Sequence, residues 1–196
     1  MKKLEASEEF KKLMSEDEKA YFCSGFFVRD LEGEHNESQL DFYSPKNKKI
    51  LSFDVNKKVK KIPIDKEPVN MEHKKFIPEK IEDKVNIDLD QIESMIMDGM
   101  HNRGMTDKIK KLIILLQERE GKNSWNCTCF LSGLGLLQVH LDDESETVLF
   151  MERKSFMDII IPLKKGDSLK DVLDQRKSEK KFDIEKVEGT NEGFIG

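Results

Sequence analysis

The sequence contains little cysteine and no long apolar run, and each shortage excludes a class of protein. Its three cysteines are an odd number with no export signal ahead of them, which disfavours a disulfide framework. No stretch approaches the ~18 apolar residues of a membrane span, and acidic residues follow Lys3 too soon for a signal peptide. We therefore predict a cytoplasmic protein with free thiols and no membrane segment.

An excess of positive charge is also absent. The chain of 196 residues carries 34 Lys and Arg against 39 Asp and Glu, which gives a net charge of −5. This balance provides no overall basic field that would attract a polyanion. Charged and hydrophobic residues each make up 37% of the chain. We therefore expect a densely ionised surface around a small core.

The sequence does contain two segments that resemble each other. Leu31–Asp54 aligns without a gap on Arg119–Asp142, 88 positions later, with five identical pairs that include Phe42 with Phe130 and Asp54 with Asp142. Around each copy the pattern predicts a helix, a long apolar strand, a glycine-containing hairpin and further strands. We therefore predict an α+β fold of two tandem repeats, each a helix on an antiparallel sheet, followed by a C-terminal helical tail.

Composition divides the chain into four segments. Residues 1–64 form the first helix-plus-sheet repeat and residues 88–163 form the second, which ends in an apolar run, Phe156–Ile161, readable as a strand or a short helix. Residues 65–87 are charged and contain Pro68 and Pro78, which is typical of a linker. Residues 164–196 predict an amphipathic helix and a disordered tail.

The second repeat has the clearest pattern. Asp88 is predicted to cap a helix, with Gln91 completing a variant capping box, and Gly104 is predicted to end it. Gly99 lies where a close contact would fit, and Ile109–Arg119 is predicted to be a long strand. The predicted core comprises Ile92, Ile96, Leu115, Trp125 and Phe130.

The same region resembles a known family. After the helix come Lys111–Leu116, Trp125–Phe130 and Val139–Asp142, and then an acidic turn followed by Val148 and Leu149. This order is similar to that of a PepSY-type module of the cystatin-like α+β class. The resemblance covers about Asp88–Glu152 and, more faintly, Glu5–Ile64. It implies one helix on a curled antiparallel sheet and a binding or regulatory role, and it brings no catalytic signature.

Two cysteines form the first candidate site. Cys127 and Cys129 lie two apart on a predicted strand, so their thiols project from one face together with Trp125 and Leu131. A soft metal or a redox switch would use such a pair, with Cys23 or His140 as a further ligand. Free cysteine is also a small, readily buried hydrophobe, and we favour core packing for both residues.

A cluster of lysines forms the second candidate site. These seven residues lie near one end of the first predicted sheet and could contact a phosphate backbone. Lysine also protects exposed strand edges from aggregation, and no arginine accompanies the cluster, so we favour edge protection. The cluster comprises Lys46, Lys48, Lys49, Lys57, Lys58, Lys60 and Lys61.

Two other groups of polar residues are not interpreted as functional sites. The acidic run of Asp142, Asp143, Glu144 and Glu146 lacks the ligand spacing of a calcium loop and is interpreted as a solvated hairpin turn. None of the histidines lies in a pattern that indicates a nucleophile with a base and an orienting acid. They are His35, His73, His101 and His140.

The sequence therefore favours a non-enzymatic cytosolic binding or regulatory module that contacts a protein partner and needs no cofactor. The first alternative is a protein that contacts nucleic acid through the Lys46–Lys61 cluster. The second is a metal or redox protein that uses Cys127 and Cys129.

Overall fold

A computed structural model of the chain describes residues 2–56, 58–62, 76–81 and 84–155. The described helices are α1 (Lys2–Glu5), α2 (Glu8–Glu16) and α3 (Leu89–His101). The described strands are β1 (Tyr21–Asp30), β2 (Glu37–Ser44), β3 (Lys49–Asp54), β4 (Lys60–Lys61), β5 (Ile109–Arg119), β6 (Lys122–Leu131), β7 (Gly135–Asp142) and β8 (Thr147–Ser155). Residues 1–154 form one compact unit. The apolar run Phe156–Ile161 and the predicted helical tail of 164–196 lie outside the described residues.

The eight strands form one continuous sheet in the order β4-β3-β2-β1-β5-β6-β7-β8. The prediction of two helix-plus-sheet repeats is therefore wrong: the architecture is a single antiparallel sheet with a few short helices. The cause is the pairing of β1 with β5, which runs from Ser24 opposite Gln117 to Asp30 opposite Lys111. An unpaired strand edge exposes backbone N–H and C=O groups that are satisfied by another strand, so two adjacent sheets gain by joining there.

The predicted equivalence of segments 88 residues apart is also wrong for the side chains. Phe42 lies on β2 and is buried against the ring of Phe10, with centroids 5.0 Å apart. Phe130 lies between Cys129 and Leu131, both of which are buried, so its own side chain projects from the opposite face of the sheet. Two residues that face opposite sides of a sheet are not structural equivalents.

One face of the sheet carries the helices and most of the core. The strand registers place a continuous band of buried side chains on this helix face, and α2 and α3 cover it. Of the predicted core, Ile92, Ile96 and Trp125 are buried, whereas Leu115 and Phe130 lie on the other face and are partly exposed. The band comprises Phe27, Leu40, Phe42, Leu51, Phe53, Leu112, Ile114, Leu116, Trp125, Cys127, Cys129, Leu131, Leu137, Val139 and Leu141.

The helix starts follow sequence signals, whereas α3 ends at His101 with Asn102 as its C-cap, before the predicted Gly104. At the start of α2 the hydroxyl of Ser7 accepts the N–H of Phe10 at 3.2 Å. At the start of α3 the N–H of Asp88 donates to Oε1 of Gln91 at 3.0 Å, as the capping box predicted. A close backbone contact was predicted at Gly99; the observed neighbour is instead a side chain, since a Cβ there would lie 2.7 Å from Cε of Met151.

The described part of the predicted linker is tied to the ends of the strands. The hydroxyl of Tyr21 donates to the carbonyl of Pro78 at 2.7 Å, and the N–H of Ile81 donates to the carbonyl of Phe22 at 3.0 Å. Ile81 is fully buried, whereas Ile77 is exposed. Residues 76–81 are therefore tied to the start of β1.

No helix among the described residues is long and apolar enough to cross a membrane.

Candidate functional site

The helix face contains an open cavity over the middle of the sheet, which we call the central cleft. It has a volume of about 500 Å³ and lies over β1, β2 and β5, beside the first turn of α3. Most of its lining is apolar. The lining residues are Phe22, Phe27, Arg29, Ser38, Leu40, Val55, Asn56, Val85, Leu89 and Leu116.

Residues that lie opposite one another on β1, β2 and β5 form the floor of the central cleft. Gly25 on β1 lies opposite Leu40 on β2 and Leu116 on β5, so all three positions share the helix face. A Cβ at position 25 would lie 2.9 Å from the ring of Phe27. Glycine at this position therefore lets the Phe27 ring lie over β1, with its centroid 6.3 Å from that of Trp125.

The rim of the central cleft is polar. Nη2 of Arg29 donates to Oδ1 of Asp90 at 3.2 Å, and the Asp90 side chain is 94% exposed. Across the cleft, Nζ of Lys3 donates to the carbonyls of Val55 and Asn56. An ion pair with one fully solvated partner is weak, so a carboxylate from another molecule could replace Asp90 on Arg29 at little cost.

The structure places the predicted thiol pair in the core. Cys127 and Cys129 are buried on the helix face, between the buried strands β5 and β7. Burial raises the pKa of the Cys129 thiol to about 12, and burial followed by the neighbouring Cys129 raises the pKa of Cys127 further. Both thiols are protonated at neutral pH, which makes them poor nucleophiles and poor metal ligands.

The other proposed ligands do not join this pair. Cys23 lies on β1 with β5 in between, and its Sγ faces the carbonyl of Asp41 at 3.4 Å. His140 alternates with the buried Val139 and Leu141, so it projects from the opposite face, where its ring lies 5.1 Å from that of Phe150. No group of three or more His, Cys, Asp or Glu in the described part of the chain is placed to hold a metal ion.

The structure spreads the lysine cluster around an acidic helix. Lys46, Lys48 and Lys49 lie at the start of β3, and Lys58, Lys60 and Lys61 lie at or near its far end, about 17 Å away along a six-residue strand. Lys57 lies outside the described residues.

Glu16 and Asp17, at the end of α2, lie near three of these lysines, and the carboxylate of Asp17 accepts the backbone N–H of Lys46 at 3.0 Å. Nζ of Lys46 donates to the carbonyl of Glu16 at 2.9 Å. Lys49 and Lys61 line one cavity of about 280 Å³ together with Glu16. Mixed charges of this kind weaken the attraction for a phosphate backbone, so the geometry does not favour the nucleic-acid alternative.

The interpretation of the acidic run as a solvated turn is wrong for Asp143. Its side chain is only 2% exposed. Oδ1 accepts the indole N–H of Trp125 at 2.8 Å and the N–H of Ile87 at 3.1 Å, and Oδ2 accepts the N–H of Asn86 at 2.9 Å. This carboxylate therefore joins β6, the turn after β7 and the approach to α3.

The predicted burial of Trp125 was a partial signal for this contact, although it did not identify Asp143 as the partner. A buried tryptophan needs a partner for its indole N–H, and Trp125 pairs with Leu141, two residues before Asp143. The central cleft had no such signal, because its walls come from five separate segments of the chain.

No family model and no curated protein matches the chain. Among solved structures the chain is similar to the crystal structure of "a putative lipoprotein" from Clostridium difficile 630, with a TM-score of 0.45 and 12% identity. The similarity covers 74% of this chain and 90% of that chain. A likeness this distant identifies no activity or location for the chain. The resemblance to PepSY modules stays a prediction.

Proposed function

We propose that the chain is a non-enzymatic binding module that contacts a protein partner through the central cleft. The observation that supports this most directly is the cleft itself, an open apolar cavity of about 500 Å³ with charged and amide groups only at its rim. Cavities of roughly 300–1,000 Å³ with this arrangement have the size of sites that hold small molecules. An open mouth suits side chains that project from the surface of a partner.

The chemistry of the lining indicates what the partner presents. Phe27, Leu40 and Leu116 form an apolar floor that favours aliphatic or aromatic side chains, because their burial removes apolar surface from water on both molecules. Arg29 at the rim favours a carboxylate, which a guanidinium binds in a bidentate manner. The proposed partner segment therefore combines an apolar anchor with a nearby Asp or Glu.

The thiols support a binding role over chemistry. Cysteine is the most nucleophilic side chain in the sequence, and burial raises the pKa of Cys23, Cys127 and Cys129. All three are free, which is compatible with the reducing cytoplasm that we keep as the proposed location.

A cleft-filling substitution tests the proposal. Val55→Trp would place an indole into the central cleft from its wall, whereas Val148→Trp would enlarge a partly buried position on β8, outside the cleft. The three proteins would be immobilised and used to capture proteins from the native cell extract, with quantitative mass spectrometry. We expect at least one protein to be captured by the wild type and the Val148→Trp control and lost with Val55→Trp.

A second substitution tests the role of charge. Arg29→Glu would reverse the charge at the rim, and the captured protein should bind at least roughly tenfold more weakly if it presents a carboxylate there. An identical set of captured proteins for all four forms would contradict the proposal.

A further inference from the structure

A second groove lies at the C-terminal end of α3, and we call it the methionine groove. Its volume is about 390 Å³, and three thioethers, an imidazole, two carboxylates and an ammonium group contribute to its lining: Met97, Met100, Met105, His101, Glu93, Asp107 and Lys108. It opens between α3 and the segment that leads into β5, and it shares no residue with the central cleft.

Helix geometry brings most of these groups together. Met97 lies four residues after Glu93 and three and four residues before Met100 and His101 along α3, so it neighbours all three on the helix surface. The chain then reverses at Gly104, whose φ of +66° lies in the left-handed region. The reversal returns Met105 to the helix end, where its N–H donates to the carbonyl of Met100 at 3.0 Å.

Packing alone does not account for all three methionines. Methionine often fills gaps in cores, and Met100, which is buried, fits that role. Met97 does not, because it is 54% exposed at the mouth of the groove. Exposing an apolar thioether next to two others offers no gain in packing.

Thioether sulfur is a soft ligand that selects Cu(I), and imidazole also binds copper. We propose that the methionine groove binds one Cu(I) ion through the sulfurs of Met97, Met100 and Met105 and the imidazole of His101. These four ligands are neutral and leave the ion with its single positive charge. The charged groups of the lining are the carboxylates of Glu93 and Asp107, of which Asp107 is paired with Arg153, and the ammonium group of Lys108. Binding involves no change of oxidation state. This site is independent of the thiol pair on β6, because Cys127 and Cys129 belong to the buried band and do not line the groove.

The first test is an anaerobic titration of the full chain with Cu(I), in competition with the chromogenic chelator bicinchoninate. We expect one Cu(I) per chain, and Met97→Leu should weaken binding by at least roughly tenfold, because leucine preserves size but removes the sulfur. Met95→Leu is the matched control, since Met95 lies on α3 but does not line the groove, and it should bind as the wild type does. Absence of Cu(I) binding, or equal weakening in both variants, would overturn the proposal.

The second test locates the ion. With ¹³C-labelled methionine methyl groups, Ag(I), an air-stable substitute for Cu(I), should shift the NMR signals of Met97, Met100 and Met105 and leave that of Met95 in place. Unchanged signals for the three groove methionines with metal bound would place the ion at other ligands, such as the cysteines, and would also overturn the proposal. Both outcomes are independent of whether the central cleft binds a protein.

Discussion

The two halves of the sheet cover their helix faces with different side chains. On β1 to β3 the helix face is aromatic, with Phe22, Phe27, Phe42 and Phe53, and the ring of Phe10 on α2 meets the last two at 5.0 and 6.2 Å. On β5 to β7 the only ring is that of Trp125, and the other buried positions are leucine, isoleucine, valine and cysteine.

This difference leads us to expect that the two halves of the sheet contribute differently to stability and to binding. Ile92, Ile96, Leu112, Cys129 and Val139 are completely buried, as expected where small branched side chains interdigitate under α3. Phe22, which is partly buried, and Phe27, which is 9% exposed, both line the central cleft. We therefore expect substitutions under α3 to affect unfolding most, and substitutions in the cleft to affect binding most.

Trp125 should show the largest effect on stability. Trp125→Ala would leave a large cavity and deprive Asp143 of its indole partner, so it should lower the free energy of unfolding by about 3–5 kcal/mol. Trp125→Phe, which keeps an aromatic ring but loses the N–H, should lower the free energy of unfolding by about 1–3 kcal/mol. Urea denaturation followed by circular dichroism measures both. If Phe22→Ala in the cleft lowered the free energy of unfolding more than Trp125→Ala, the proposed difference between the two halves would be wrong.

The buried thiols should show an intermediate effect. Cys129→Ala and Cys127→Val should each lower the free energy of unfolding by about 1–3 kcal/mol, as small changes of volume in a core do. Because burial raises the pKa of both thiols, a disulfide reagent should react slowly with the native protein and quickly in denaturant. Fast native reaction at these positions would show that the region under α3 opens easily.

Asp17 should make stability depend on pH. Its side chain accepts the hydroxyl of Ser44 at 2.6 Å and the N–H of Lys46 at 3.0 Å, and these bonds, the Ser44 bond first, hold the pKa of Asp17 below its usual value. The charged form is therefore favoured by folding, and its stabilisation is present above about pH 4 and lost as the pH falls through the lowered pKa.

Asp17→Asn tests this dependence through thermal midpoints measured from pH 2 to pH 7. The variant should be less stable than the wild type near neutral pH, and the two should converge in acid. Asp142→Asn tests the same pH dependence in the other half of the sheet, since hydrogen bonds from Ser145 also lower the pKa of Asp142. Parallel pH profiles for wild type and Asp17→Asn would contradict the assignment.

The lysines should show the smallest effect. Replacing Lys46, Lys48 and Lys49 together by Gln should change the retention of the protein on a nucleic-acid column by less than roughly twofold near 0.15 M salt, because Glu16 and Asp17 lie beside Lys46 and Lys49 and salt screens exposed charges. A loss of tight, salt-sensitive retention in the triple variant would instead support the nucleic-acid alternative.

Local patterns predicted the individual elements well. The strand Ile109–Arg119 has the predicted bounds, and the start of α3 follows from Asp88 and Gln91. Hydrophobic alternation and capping are properties of neighbouring residues, so a sequence displays them directly.

The contacts between distant segments were not predicted. Alternation shows that β1 has two apolar faces, but its edges are backbone groups that every residue shares, so the sequence does not reveal that β5 will pair there. Asp143 looked like its acidic neighbours because its partners, Trp125, Asn86 and Ile87, are reached only after the sheet has formed. The central cleft depends on the same long-range assembly.

The pairing of β1 with β5 has a consequence for synthesis of the chain. The paired residues lie between 81 and 93 positions apart, and translation at roughly 5–20 residues per second separates their appearance by roughly 4–20 s. During that interval β1 has left the ribosome while its neighbour has not been made. A nascent chain in this state presents an open strand edge beside several aromatic rings, which is the kind of surface that chaperones bind and that aggregates when they do not.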